Sequence, residues 1–135
     1  MKSFTFKLLL LISIFILSNS LVFGQYTWSK FVGNPVISGS GNNTWDKHVF
    51  MGNTIFNTDA NRYEMFYCGS YGSEVGWRPY RTGLAYSTDK INWNKYSGNP
   101  IFTPDSGSWD EGSTEGTSVI RENGQYKMWY SGGPE

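Results

Sequence analysis

Eleven Asp and Glu residues, one histidine and one cysteine are the groups in this 135-residue chain that can do acid, base or nucleophilic chemistry. Asp46 and Asp110 share a setting, each standing directly after a tryptophan, Trp45 and Trp109. An acid that returns in the same place suits a turn, bonding nearby backbone N–H groups. Glu115, in "STEGTSVI", has no acidic twin, while Glu111 and Glu74 read as solvated loop charges. His48, the sole histidine, has either a sugar-hydroxyl partner or a packing role as its expectation. No second His or acidic pair sits at metal-ligand spacing, so neither a metal site nor a cofactor is expected. Cys68, in "YEMFYCG", belongs to no Cys-His pattern and reads as a small strand residue facing a neighbouring layer. The loop "GSYGSEVGWRPYR" carries Trp77, Arg78, Tyr80 and Arg81. Aromatic faces stack on the apolar faces of sugar rings and Arg reaches hydroxyls or carboxylates, so this loop is a candidate carbohydrate contact. Its other reading is an ordered rim. No phosphate-binding Gly-rich motif, nucleophile elbow or nucleic-acid signature occurs.

Positioning these groups falls to an internal repeat. "WSKFVGNPVISGSGNNTWD" (Trp28 to Asp46) matches "WNKYSGNPIFTPDSGSWD" (Trp93 to Asp110), and "NTIFNTDANRYEMFYCG" (Asn53 to Gly69) matches "TSVIRENGQYKMWYSG" (Thr117 to Gly132). A unit of this length exceeds a leucine-rich or ankyrin repeat and suits a propeller blade with loops. The first unit splits into four short strand candidates near Asn53–Asn57, Arg62–Gly69, Thr82–Ser87 and Trp93–Tyr96. Asp59-Ala60-Asn61 is expected to turn the first hairpin, mirrored by Glu122-Asn123-Gly124. In "YEMFYC" both alternating faces are apolar, Tyr63/Met65/Tyr67 on one and Phe66/Cys68 on the other. A strand of that kind is covered on both sides, as stacked blades require. The expected fold is therefore all-β: a β-propeller piece of about one and a half blades. Trp28 is expected to open an outer strand that closes a ring. The second repeat reaches only its second strand by Glu135, so residues 25–135 are expected to be the N-terminal part of a longer propeller domain.

Bulk composition agrees. Aromatics make up 18% of the residues, and sixteen glycines separate short apolar runs, the texture of an all-β protein. Eleven basic residues balance eleven acidic ones, which marks no nucleic-acid or polybasic membrane binder. The first 24 residues differ: Lys2 and Lys7 precede "LLLLISIFIL" and small residues. That pattern predicts a secretory signal peptide cleaved near Ser20 or Gly24, too short in its apolar run for a membrane span. A secreted or periplasmic protein is expected, free of the membrane after cleavage. With one cysteine it forms no intramolecular disulfide, so its stability must come from a packed core.

"GQYKMWYSGG", "RTGLAYSTDKINWNKYSGNPIF" and "GSWDEG" resemble the five-bladed β-propeller superfamily of glycoside hydrolases (families 43, 32, 62, 68 and 130). "STDKINW" also resembles the sialidase Asp-box, one residue short and without its glycine. The first resemblance implies a secreted protein that hydrolyses glycosidic bonds with carboxylates at the axial ends of innermost strands. One carboxyl protonates the leaving oxygen and another activates water or attacks the sugar. It implies catalytic roles for Glu115 and Asp46, and substrate contacts from His48, Trp77, Arg78 and Tyr80. The family's usual Asp-Pro entrance is replaced here by Gly52-Asn53 and Gly116-Thr117. The alternative is a non-catalytic carbohydrate-binding propeller. At least one essential acid is expected beyond Glu135, so this chain by itself is expected to be inactive.

Overall fold

The computed structural model describes residues 27–72 and 79–134, and no helix occurs among them. Two compact units divide the chain, Met1–Lys30 and Phe31–Glu135, and every strand lies in the second. The expected signal segment 1–24 lies outside the described residues, as do Glu74, Trp77 and Arg78.

Among the described residues six strands form two antiparallel sheets. β1 (His48–Asn57), β2 (Arg62–Ser70), β3 (Tyr80–Ser87) and β4 (Asn94–Lys95) lie side by side in chain order, and β5 (Ser113–Glu122) pairs with β6 (Gln125–Gly133). The turns arise from local chemistry. Asn57 Oδ1 accepts from the Asp59 and Ala60 N–H groups to open the first hairpin loop. Asn123 and Gly124, with φ of 52° and 78°, make a two-residue turn whose twist matches the flanking strands. Between β3 and β4, Asp89 accepts from Ile91 N, Asn92 N and Ser87 Oγ. Those bonds, the Asn92 backbone first, hold its carboxyl well below the usual range. This is the stretch that resembles an Asp-box.

One expectation needs correction. β1 and β5 begin at His48 and Ser113, earlier than the strand candidates at Asn53 and Thr117. Each contains a bulge, between Phe50 and Gly52 and between Glu115 and Ser118, which breaks the alternation by which a strand is recognised. Residues 27–30 join no ladder among the described residues, and the last blade against which Trp28 is expected to close a ring is not among them. Its repeat-mate β4 is a strand because Asn94 and Lys95 pair with Tyr86 and Ala85 of β3. The Gly-Asn-Pro segments show the same dependence. Asn99 accepts from Leu84 N and donates to Leu84 O, both at 2.8 Å, whereas its counterpart Asn34 is exposed.

One packing unit occurs in both repeats. Trp45 stacks on Tyr67 (5.8 Å between centroids), and Trp109 on Tyr130 (5.7 Å). The Tyr67 hydroxyl donates to Asp46 and the Tyr130 hydroxyl to Asp110. Two residues after each tyrosine comes the glycine that makes room. A Cβ on Gly69 would lie 2.8 Å from Asp46 Cβ, and one on Gly132 would lie 2.5 Å from Asp110 Cβ. The Trp-Asp and Tyr-x-Gly motifs are thus two halves of one contact. Asp46 is 1% exposed and also accepts from Ser40 and Lys95. Burial pushes its carboxyl up, but the bonds from Lys95 and Ser40 and the Lys95 charge outweigh this and hold it down. Its stabilisation is therefore complete above the ordinary carboxyl range and is lost as pH falls through the depressed value.

The β5–β6 hairpin packs against the face of the first sheet that carries Glu64, Phe66 and Cys68. Val119 is buried there and its N–H donates to Asn53 Oδ1, while the Phe66 and Tyr126 rings meet at 5.8 Å. Glu64, 1% exposed, lies in this seam. It accepts from Arg62 and Asn57 on one oxygen and from the Tyr126 hydroxyl, at 2.6 Å, on the other. A buried carboxylate with its donors in place fixes how the two sheets meet.

Gly69→Ala and Gly132→Ala each force a methyl group into the tryptophan–aspartate contact, an overpacking cost of roughly 1–3 kcal/mol. Urea unfolding is expected to show that loss in both. Unchanged midpoints would mean that the glycines are not there to admit the Trp-Asp pair.

Candidate functional site

The first strands of the two hairpins follow matching ladders, each with a bulge near its start. Val49 faces Gly69 across its ladder and Thr114 faces Gly132, so Phe50 and Glu115 are counterparts, each immediately before the bulge. Gly116, at φ +63°, sits in the second bulge in a conformation that glycine adopts without strain. Bulges re-aim side chains, and this one turns the chain directly after Glu115. His48 is the counterpart of Ser113, so the two expected site residues lie near the starts of matching strands.

An aromatic wall stands at this end. His48 pairs with Ser70 and Ser70 with Tyr80, placing the three in one row across β1, β2 and β3. The Phe50 ring lies 6.3 Å from His48 and 5.9 Å, edge-on, from Tyr80. β5 reaches the wall through Thr114, whose hydroxyl donates to the Tyr80 carbonyl at 3.4 Å. Glu115, the next residue of β5, is half-buried. The buried hydroxyls of Ser113 and Thr117, one on each side of Glu115, have no hydrogen-bond partner among the described residues.

Cys68 reports on Glu115. Its thiol lies under Thr114, 3.9 Å from that carbonyl oxygen, and is fully buried. Burial first, then the negative charge of Glu115, push it up from an ordinary 9.0 to about 11, against a smaller opposing effect of the Gly116 backbone. A thiol so placed is protonated at neutral pH and is no nucleophile. Because the folded state holds this proton more tightly, the stabilisation is complete below the ordinary thiol value and is lost as pH rises to about 11.

The expected residues therefore divide. Glu115, His48 and Tyr80 come to one end of the fold. Asp46 lies in the tryptophan contact, its carboxylate enclosed by Ser40, Tyr67 and Lys95. Phe50 was missed by sequence reasoning; its signal was its position opposite Glu115 in the repeat. Among the described residues no group of three His, Cys, Asp or Glu side chains is placed to hold a metal ion.

No protein-family model and no curated protein matches this chain. Among solved structures it is similar to one titled "Glycoside hydrolase", at 22% identity and a TM-score of 0.60. The match covers 78% of this chain and 28% of the other, so the chain spans little more than a quarter of that structure. The likeness is one of fold.

Glu115→Gln removes the neighbouring charge that raises the Cys68 thiol. The thiol's titration midpoint, followed by the Cβ resonance of Cys68 in NMR, is expected to move down from about 11. A midpoint that stays put would separate Glu115 from Cys68.

Proposed function

We propose that this chain forms part of a secreted, glycosidase-like β-propeller of the five-bladed kind, and that the His48–Phe50–Tyr80 wall with Glu115 is its contribution to a carbohydrate site. The observation that carries the reading is the exchange of Phe50 for Glu115 at one repeated bulge. It puts an acid next to Thr114, the residue through which β5 meets Tyr80, in a fold similar to that of a glycoside hydrolase. Sugar rings present apolar C–H faces to aromatic rings and hydroxyls to carboxylates, and this end offers both. In this role Tyr80 and His48 hold the sugar, while Glu115 is a proton donor or a stabiliser of developing positive charge. Trp77 and Arg78 belong to the same proposal through the loop that leads into Tyr80.

Glycosidic hydrolysis takes two carboxyls, and Glu115 is one. Asp46 cannot serve as the second without leaving Tyr67, Ser40 and Lys95. The non-catalytic alternative draws on the same fact: where the resemblance leads one to expect Asp-Pro, Gly52-Asn53 and Gly116-Thr117 stand in the two strands. Both readings place carbohydrate at the wall and differ in whether the bound sugar is then cleaved.

Titrating the chain with a panel of neutral oligosaccharides is expected to shift the His48 and Tyr80 ring resonances, and Tyr80→Ala to abolish the shifts. No reducing ends are expected to be released by this chain on its own. Release would overturn the division of the catalytic acids, and silence of both rings toward every saccharide would overturn the carbohydrate site.

A further inference from the structure

The hairpin of β5 and β6 turns on Asn123 and Gly124, the one Asn-Gly pair in the sequence. The turn demands such residues, since both central positions have positive φ, 52° and 78°. The last ladder pair is Glu122 with Gln125, so the backbone of the two turn residues lies outside the ladder. Both residues are exposed. Apart from chain neighbours, the nearest atom to the place of a Cβ on Gly124 is Arg121 Nη2, at 3.9 Å. The pair stands at the tip of the hairpin, so its exposure does not depend on what covers either face of the sheets.

We propose that Asn123 is a site of spontaneous deamidation, and that the carboxylate it produces competes with Asp59 for Arg121. In this reaction the Gly124 backbone nitrogen attacks Asn123 Cγ. The new C–N bond closes a cyclic imide, the bond from Cγ to the side-chain nitrogen breaks, and ammonia leaves with the proton that the Gly124 N–H gave up. Water then opens the imide at either carbonyl, giving aspartate or isoaspartate. Glycine admits the attack because no Cβ stands beside the attacking nitrogen, and no ladder hydrogen bond has to break first. The nearby Arg121 cation favours the negative charge that develops on the attacked amide.

Other asparagines lack one condition or another. Asn34 and Asn99 precede prolines, which have no N–H. Asn57 is buried with both its side-chain atoms bonded, and Asn53 Oδ1 is held by Val119 N. The first hairpin turns through a longer loop, Thr58 to Asn61, that contains no Asn-Gly.

The product matters because of where Arg121 points. Its Nη2 donates to Asp59 Oδ2 at 2.5 Å, tying the second hairpin to the loop of the first. A second carboxylate beside the turn divides that cation between two anions. Isoaspartate also adds one atom to the backbone of a turn whose length sets the register of its strands.

Ageing the folded chain in mildly alkaline buffer and mapping its peptides by mass spectrometry tests the site. The mass gain of an amide turned to a carboxyl is expected at Asn123 before any other asparagine. Its rate is expected within about tenfold of that in the urea-unfolded chain, because opening an exposed turn costs little. Asn123→Gly keeps a residue suited to positive φ and is expected to abolish the gain. A folded chain that keeps Asn123 intact while the unfolded chain loses it overturns the site, and so does a gain spread evenly over the asparagines. Asn123→Asp tests the competition, since it carries the charge without the longer backbone. Asp59→Asn is expected to lower the urea midpoint of the wild type, and to lower that of Asn123→Asp by less. Equal losses, or none in either, overturn the competition for Arg121.

Discussion

A carboxylate withdrawn from water must be given donors, and in both repeats that requirement organises the fold. Asp46 and Asp110 are buried next to tryptophans that need a flat surface, and a single tyrosine supplies both the surface and the donor. The glycine two residues later is a necessity, because any side chain there would occupy the tryptophan's place. In the first repeat the contact extends further. Asn99 donates to the Tyr67 hydroxyl while clasping Leu84, and Gly83 lies against both rings. One aspartate thus links the segment before β1 to β2, β3 and the connection after β4. The rest of the structure is arranged around keeping that anion bonded.

Much of this was legible in the sequence because it is local or repeated. Tyr63, Met65 and Tyr67 alternate with Phe66 and Cys68 as a doubly covered strand should, and β2, β3 and β4 lie where that pattern puts them. What escaped depends on distant pairing or broken rhythm. The bulges at Phe50 and Glu115 hide the first residues of β1 and β5 from a period-two reading. Glu64 was passed over as one charge in an apolar run. Its partners come from another hairpin, and its repeat counterpart, Lys127, has the opposite sign. The flanking Arg62 was the available hint.

The candidate site shows the same division. Repetition pointed to Glu115 because it lacks an acidic twin, and the ladder gives that a sharper meaning: in matching strands that each bulge near the start, an aromatic of the first, Phe50, stands where the second has the acid. Scaffold and chemistry are separable here. Burial of the tryptophan contact maintains the strand ends, and what those ends display can vary without disturbing it.

The two sheets end their outer edges differently. On the first, β4 is only two residues long, and the Asn99 amide, bonded to Leu84 N and O, stands in for a neighbouring strand. Such an edge offers little to an incoming chain. β6 runs nine residues, with the aromatics Tyr126, Trp129 and Tyr130 and with Lys127 as the only charge along it. An aggregating neighbour therefore finds no template along β4, where one side-chain amide does the work of a whole strand.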